Sequence, residues 1–298
     1  MSAVDCKKIL YKIEKCFGFE TDIKWSNAIF IILYHIFAVL WCYHYAFPVK
    51  WQSVLFGLFM YVVCALGVTC GAHRYWTHRS YKATPPLQCL LLFMFSCASQ
   101  TSVRLWVRNH RLHHKFSDTA ADPHNVNRGL FYAHIGWLML KKHPEALLKG
   151  KTIDMCDIDN DPLLHILVIN SLCCFVLPTL AGVWLWAEAW QAAVAWQCFI
   201  RYSVAFHCEF TVNIKVYFYP ESWYVSATTL GEGWHNYHHA FPFDYKAAEY
   251  CDVFNLSTAA IRLWHRVGWA YDLKEPTPDT VRALSERLGD GTGGRRIK

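Results

Sequence analysis

The chain has 298 residues, of which 54% are hydrophobic and 16% aromatic, while only 17% are charged. Soluble domains carry about 25% charged residues, so this composition argues against an ordinary soluble domain. The 13 cysteines form no CxxC pair, and Cys173 and Cys174 are adjacent in an apolar run. That pattern excludes a secreted disulfide framework and fits a reduced setting. The formal charge of +6 is modest and lies beside apolar segments, which favours a membrane surface or an anionic small molecule and no nucleic acid.

In chain order, residues 1–25 form a charged cytosolic N-terminal segment without the apolar core of a cleavable signal peptide. Ser26 to Val49 holds no charged residue, and Trp51 onward holds none until Arg74. Each run exceeds the roughly 20 residues that cross a bilayer core, and Pro48 with Lys50 makes the turn of a helical hairpin. A third uncharged run, Leu163 to Ala187, contains Pro178; a fourth, Ala189 to Val212, is interrupted by Arg201 and Glu209. Such charges usually face the protein interior. The expected spans are 26–48, 51–71, 163–182 and 190–212, within a membrane domain of 26–273. Trp25, Trp51, Trp184, Trp186 and Trp190 sit where interfacial anchors belong. Basic residues precede the first span, fill the long central loop and follow the fourth span, while the short connections hold only Lys50, which places both termini and that loop in the cytosol. Leu87 to Phe95, after Pro85 and Pro86, is too short to span and reads as interfacial or re-entrant. Residues 274–298 form a polar, mobile tail.

Eight histidines gather in three blocks: His73 and His78; His110, His113 and His114; His235, His238 and His239. HxxHH occurs twice, where chance gives about 0.05 matches in a chain of this composition. Imidazole is the commonest protein ligand for transition metals. On a helix, positions i, i+3 and i+4 share a face, so each HxxHH block is expected to aim three nitrogens at one small volume. His73 and His78, five apart, lie about 140° apart on an ideal α-helix, so they approach an ion from different sides or serve two ions. Eight imidazoles exceed the four ligands of a structural zinc site. Two ions sharing them is the economical solution, with zinc, iron, copper and nickel all open. A single site requires all three blocks on one side of the membrane, which the expected topology provides.

The blocks "HRYWTHRSYKA", "RNHRLHHKFSDTAADPHN" and "GEGWHNYHHAFPFDY" resemble those of the membrane acyl-CoA desaturases, specifically the stearoyl-CoA (delta-9) type of animals. The likeness runs from about Trp25 to Leu273. It implies an all-α integral membrane fold in the endoplasmic reticulum, with four transmembrane helices and a cytosolic helical cap. It implies two non-haem irons using O2, with electrons from cytochrome b5 and its reductase, and insertion of a cis double bond into a saturated fatty acyl-CoA. Carried over by residue, the resemblance makes His73, His78, His110, His113, His114, His235, His238 and His239 metal ligands, with Asn213 acting through a water. Trp106, Arg108, Lys141 and Lys142 fall at substrate-contacting positions, the basic ones beside the anionic CoA head. Tyr61 and Ala65 fall where the family limits the depth of the acyl tunnel.

Departures from the pattern are local. Tyr217 stands where the family places a ninth histidine, and the segment before the third block is about eleven residues short. Phe210 replaces a Trp and Asn109 an Asp, while His207 offers a substitute ligand. A catalytically impaired desaturase-like protein that binds acyl-CoA or an active paralogue is therefore an alternative. A di-iron fatty acyl hydroxylase is another.

Overall fold

A computed structural model describes residues 19–165, 170–213, 222–249 and 253–288. The described residues are mostly helical; their lone sheet pairs β1 (Lys82–Ala83) with β2 (Ala270–Tyr271) in antiparallel register. Helices α1 (Trp25–Tyr45) and α2 (Trp51–Thr77) are long and apolar enough to cross a membrane. On α1 this apolar surface faces outward, with Phe30 71% and Val39 70% exposed, a distribution water would not tolerate and lipid does.

Helix α6 (Leu172–Trp186) is apolar but shorter, and α7 (190–210) carries Arg201 and Glu209. Residues 166–169 lie outside the description, so the expected third span is seen only in part. The turns α1–α2 and α6–α7 meet at one end. Glu188 accepts from the Lys50 backbone at 2.9 Å and from Ser53 Oγ at 2.6 Å, while Lys50 Nζ donates to the Trp186 and Ala187 carbonyls, each at 2.7 Å. The histidine-bearing end of α2 lies away from these turns.

After α2 the chain reverses. Helix α3 (Pro85–Ala98) starts on a proline pair, suited to a first turn that needs no N–H, and ends at Ser99 in the left-handed region. Helix α4 (Val103–Phe116) begins where Ser102 Oγ accepts from the Leu105 N–H at 3.3 Å, an N-cap. The two helices are bent by 85°, so the apolar stretch turns back and returns the second histidine block to the side of the first. This agrees with the re-entrant reading.

The densest packing lies between α2 and α3. At Gly67 an added Cβ would fall 2.3 Å from the Met94 carbonyl carbon and the Phe95 nitrogen; only a residue without a side chain allows this approach. Leu87, Leu91 and Phe95 fill the seam against Cys64, Val68 and Trp76.

Short helices α5 (Pro144–Gly150), α8 (Trp223–Thr229), α9 (His235–Ala240) and α10 (Leu256–Arg266) complete the cap. The tail expected to be mobile holds a helix, α11 (Pro278–Leu288). Val281, Leu284 and Leu288 recur at i, i+3 and i+7, a helical spacing that the flanking prolines and glycines obscure in sequence.

Gly67→Ala is expected to lower the thermal midpoint in detergent, with overpacking costing about 1–3 kcal/mol. Gly150→Ala, whose Cβ would meet only Leu112 Cδ2 at 3.8 Å, should change it little; equal midpoints would disprove the seam argument.

Candidate metal centre

The end of α2 is wound as a π-helix over Gly67–Thr77, and the His78 N–H bonds the His73 carbonyl at 3.1 Å. In such winding the backbone bond joins residues five apart, so they lie much closer in angle than on an α-helix. His73 and His78 therefore share a face, with ring centroids 4.9 Å apart, and the 140° separation expected of an α-helix does not occur. Residues 110–114 lie on α4 and 235–239 on α9.

All eight imidazoles converge, in two groups. His73, His78, His110, His114 and His238 bring their ligand nitrogens within 4.8 Å of one another, and so do His113, His235 and His239. The single-volume expectation for each HxxHH block needs correction. The i and i+4 rings, 40° apart, stay together, whereas the i+3 ring projects from the other flank into the neighbouring group.

Nitrogen separations test whether an ion fits. His73 Nε2 and His238 Nε2 are 2.8 Å apart, His238 and His114 3.1 Å, and His114 and His110 3.2 Å. In the second group His239 Nε2 lies 3.2 Å from both His113 Nε2 and His235 Nε2. Two nitrogens bound at about 2.0–2.1 Å and 90–109° to one cation are about 2.8–3.4 Å apart. Protons alone satisfy these contacts poorly, since one N–H on His238 Nε2 faces two acceptors. His78 Nε2 is buried with no hydrogen-bond partner among the described residues. The donor set fits metal.

Two buried carboxylates orient the rings. Glu232 Oε2 accepts from His73 Nδ1 at 3.0 Å, and Asp122 accepts from His113 Nδ1 at 2.9 Å. A carboxylate of this kind only accepts, so the proton sits on Nδ1 and the lone pair on Nε2 faces the cluster. Burial alone would raise the Glu232 carboxyl; His73 and Arg74 outweigh it and hold it at about 2. Burial likewise opposes the ionised Asp122, but His113 and the His124 N–H keep it below the usual carboxylate range. Burial, then neighbouring imidazoles, holds His78, His110, His114 and His238 well below their ordinary value, and His239 at about 3. Neutral rings are the ligating form.

Glu232, Asp122, Arg74 and His124 were not among the residues predicted from the sequence. The visible signal was an acidic residue beside a histidine block, in "GEGWH" and "AADPH". Trp106 stacks on His110 at 4.9 Å and donates to Gln100 Oε1, so it forms a wall of the cluster. Arg108 Nε is buried without a hydrogen-bond partner among the described residues. Lys142 Nζ donates to Asn109 Oδ1 at 2.5 Å; burial, then Arg108 and Lys24, lowers it to about 8. Lys141 is exposed and pairs with Asp22 at 2.8 Å. Ala65 is buried beside Cys64, and the Tyr61 hydroxyl donates to the Thr228 carbonyl.

His207 joins neither group: its ring nitrogens lie 2.9 Å from His35 Nε2 and 2.9 Å from His134 Nε2. Phe210 packs on Trp137. Asn213 ends its described segment half-buried, and Tyr217 lies outside the described residues.

A fatty acid desaturase family model matches residues 49–272. The acyl-CoA Delta(11) desaturase of Spodoptera littoralis is 44% identical over 289 residues, covering 91% of this chain and 85% of that protein. The acyl-CoA Delta-9 desaturase of Acheta domesticus is 39% identical over 291 residues, covering 92% and 81%. The stearoyl-CoA desaturase of Homo sapiens is 40% identical over 294 residues, covering 91% and 80%. With the matched region containing all three histidine blocks, the chain belongs to the fatty acid desaturase family.

Proposed function

We propose that this protein is a di-iron acyl-CoA desaturase of the endoplasmic reticulum membrane. It removes two hydrogens from adjacent methylenes of a saturated acyl-CoA, using O2, two protons and two electrons and releasing two waters. Cytochrome b5 with its reductase is the electron donor in this reading. The observation that carries it is the convergence of eight imidazoles into two adjoining groups, combined with relatives that are named acyl-CoA desaturases.

Two bound irons would supply the redox chemistry with O2 that an inert C–H bond demands. The protein's own groups do the positioning. Glu232 and Asp122 fix tautomer and ring orientation, and Trp106 shields His73 and His110. Buried surroundings exclude water that would quench an oxidising site. Arg108 and Lys142 form a cationic approach for the CoA phosphates, with Lys141 at the rim. Four spans, α1, α2, α6 and α7, place both termini and the cap on the cytosolic side, where acyl-CoA is met. The paired short turns at Lys50 and Glu188 support that topology.

Five imidazoles serve the first group and three the second. This asymmetry supports Asn213 as a water-mediated contributor to the second ion. It also keeps a weaker second site, and hence impaired turnover, as a competing reading.

Purified protein should carry about two irons per chain, and expression in desaturase-deficient yeast should yield monounsaturated acyl lipid. A protein with neither iron nor alkene would defeat the assignment, and product gaining one oxygen would make it a hydroxylase. Glu232→Gln and Asp122→Asn should each weaken metal retention about 10–100-fold, read by competition with a chelator.

Acid should act in a defined window. The folded state holds His239 and His124 at about 3, against 6.5 for a free histidine. The unfolded chain therefore takes up protons first as pH falls. Their contribution to stability is complete above pH 6.5 and is lost toward pH 3. Thermal midpoints of metal-free protein that stay level across this interval would contradict buried, neutral histidines.

A further inference from the structure

Helix α7 carries an arginine and a glutamate into the apolar interior, and the guanidinium has partners where the carboxylate has none among the described residues. Arg201 is buried; Nη1 donates to Cys64 Sγ at 3.3 Å and Nη2 to the Cys174 carbonyl. Glu209 lies two turns further along, on the same face, with buried Ala205 between them. Both Glu209 carboxyl oxygens are buried, and neither has a hydrogen-bond partner among the described residues.

This carboxyl sits where α7 packs on α2, within electrostatic reach of Tyr61 and Cys64 on α2 and of Cys174 on α6. The Tyr61 hydroxyl is already committed to the Thr228 carbonyl. Leaving a buried carboxyl unpaired costs more than a hydrogen bond returns. Ionisable groups within membrane-spanning bundles usually mark a substrate path.

We propose that Glu209 is a specificity-determining residue that receives a hydroxyl group carried toward the methyl end of the acyl chain. The preferred substrate is then a hydroxylated acyl-CoA rather than the plain saturated one. This rests on the reading that Tyr61 and Ala65 bound the acyl passage. Along α2 the Tyr61–Ala65 turn lies well before His73 and His78, so the hydroxyl sits beyond the reacting methylenes. A plain alkyl chain leaves both Glu209 oxygens unpaired, whereas a hydroxyl donates to one and accepts from a protonated carboxyl. A site built for such a bond discriminates more strongly than an apolar pocket that only measures length.

The test uses full-length purified protein with palmitoyl-CoA and its ω-hydroxylated analogue. Each competes against a labelled acyl-CoA for binding, and the product mass is read separately. Wild type should bind the hydroxylated chain at least about tenfold tighter, a difference of about 1.4 kcal/mol. Glu209→Leu should abolish or reverse that preference, and Glu209→Gln, which keeps shape and hydrogen-bonding capacity, should retain most of it. Equal binding of both chains by wild type, or no binding of either, overturns the inference, as does a preference unchanged in Glu209→Leu. Selective binding without any double bond formed would leave Glu209's role intact and remove the desaturase reading. Double bonds formed equally in both chains would do the reverse.

Discussion

The Glu232 carboxylate is the joint on which the arrangement turns. One oxygen holds His73 Nδ1 and the other holds Arg74 Nη2 at 2.9 Å. Arg74, itself 1% exposed, donates onward to the Tyr245 carbonyl at 2.9 Å and Thr258 Oγ1 at 3.0 Å. A single acidic side chain thus ties the end of a membrane helix to the segments carrying the third histidine block and α10. Buried charges of this kind are stabilised by their partners, and removing one partner leaves the others stranded. The interaction that orients a ligand is therefore the one that docks the cap.

A second constraint is steric. Gly67 lets α3 lie against α2 at backbone distance, and the 85° bend between α3 and α4 then turns the second block toward the first. Arg111 finishes that junction: it donates to the Trp76 and Thr77 carbonyls at 2.8 and 3.2 Å and pairs with Asp157 at 2.8 Å. These bonds satisfy carbonyls that the end of a helix leaves without partners. Local rigidity of this kind suits a site whose rings must hold their spacing whatever substrate passes beside them.

The histidines away from the cluster show how context decides chemistry. His35 Nδ1 donates to the Ile31 carbonyl at 2.7 Å, and its Nε2 meets His207. His207 in turn meets His134. No nitrogen in this row faces more than one partner, so ordinary hydrogen bonds account for its contacts, and it links α1 to α7 as interhelical polar contacts do. In the histidine cluster one nitrogen faces several, an arrangement that fits a shared cation.

From the sequence, two things were legible because they depend on composition and local spacing alone. Uncharged runs of spanning length mark α1 and α2, and the repeated HxxHH motif marks the ligands. What the sequence could not reveal depended on backbone geometry or distant contacts. Periodicity assumes 3.6 residues per turn, so it placed His73 and His78 apart, whereas π-winding brings them together. The partition of each block into an i, i+4 pair and a separate i+3 ring follows from where α4 and α9 face each other. Asp122 and Glu232 became orienting groups only when the fold carried them to His113 and His73, nine residues away in one case and more than 150 in the other. Residue type decides which atoms are able to bind metal; the tertiary fold, by bringing them within reach of one another, places them to do so together.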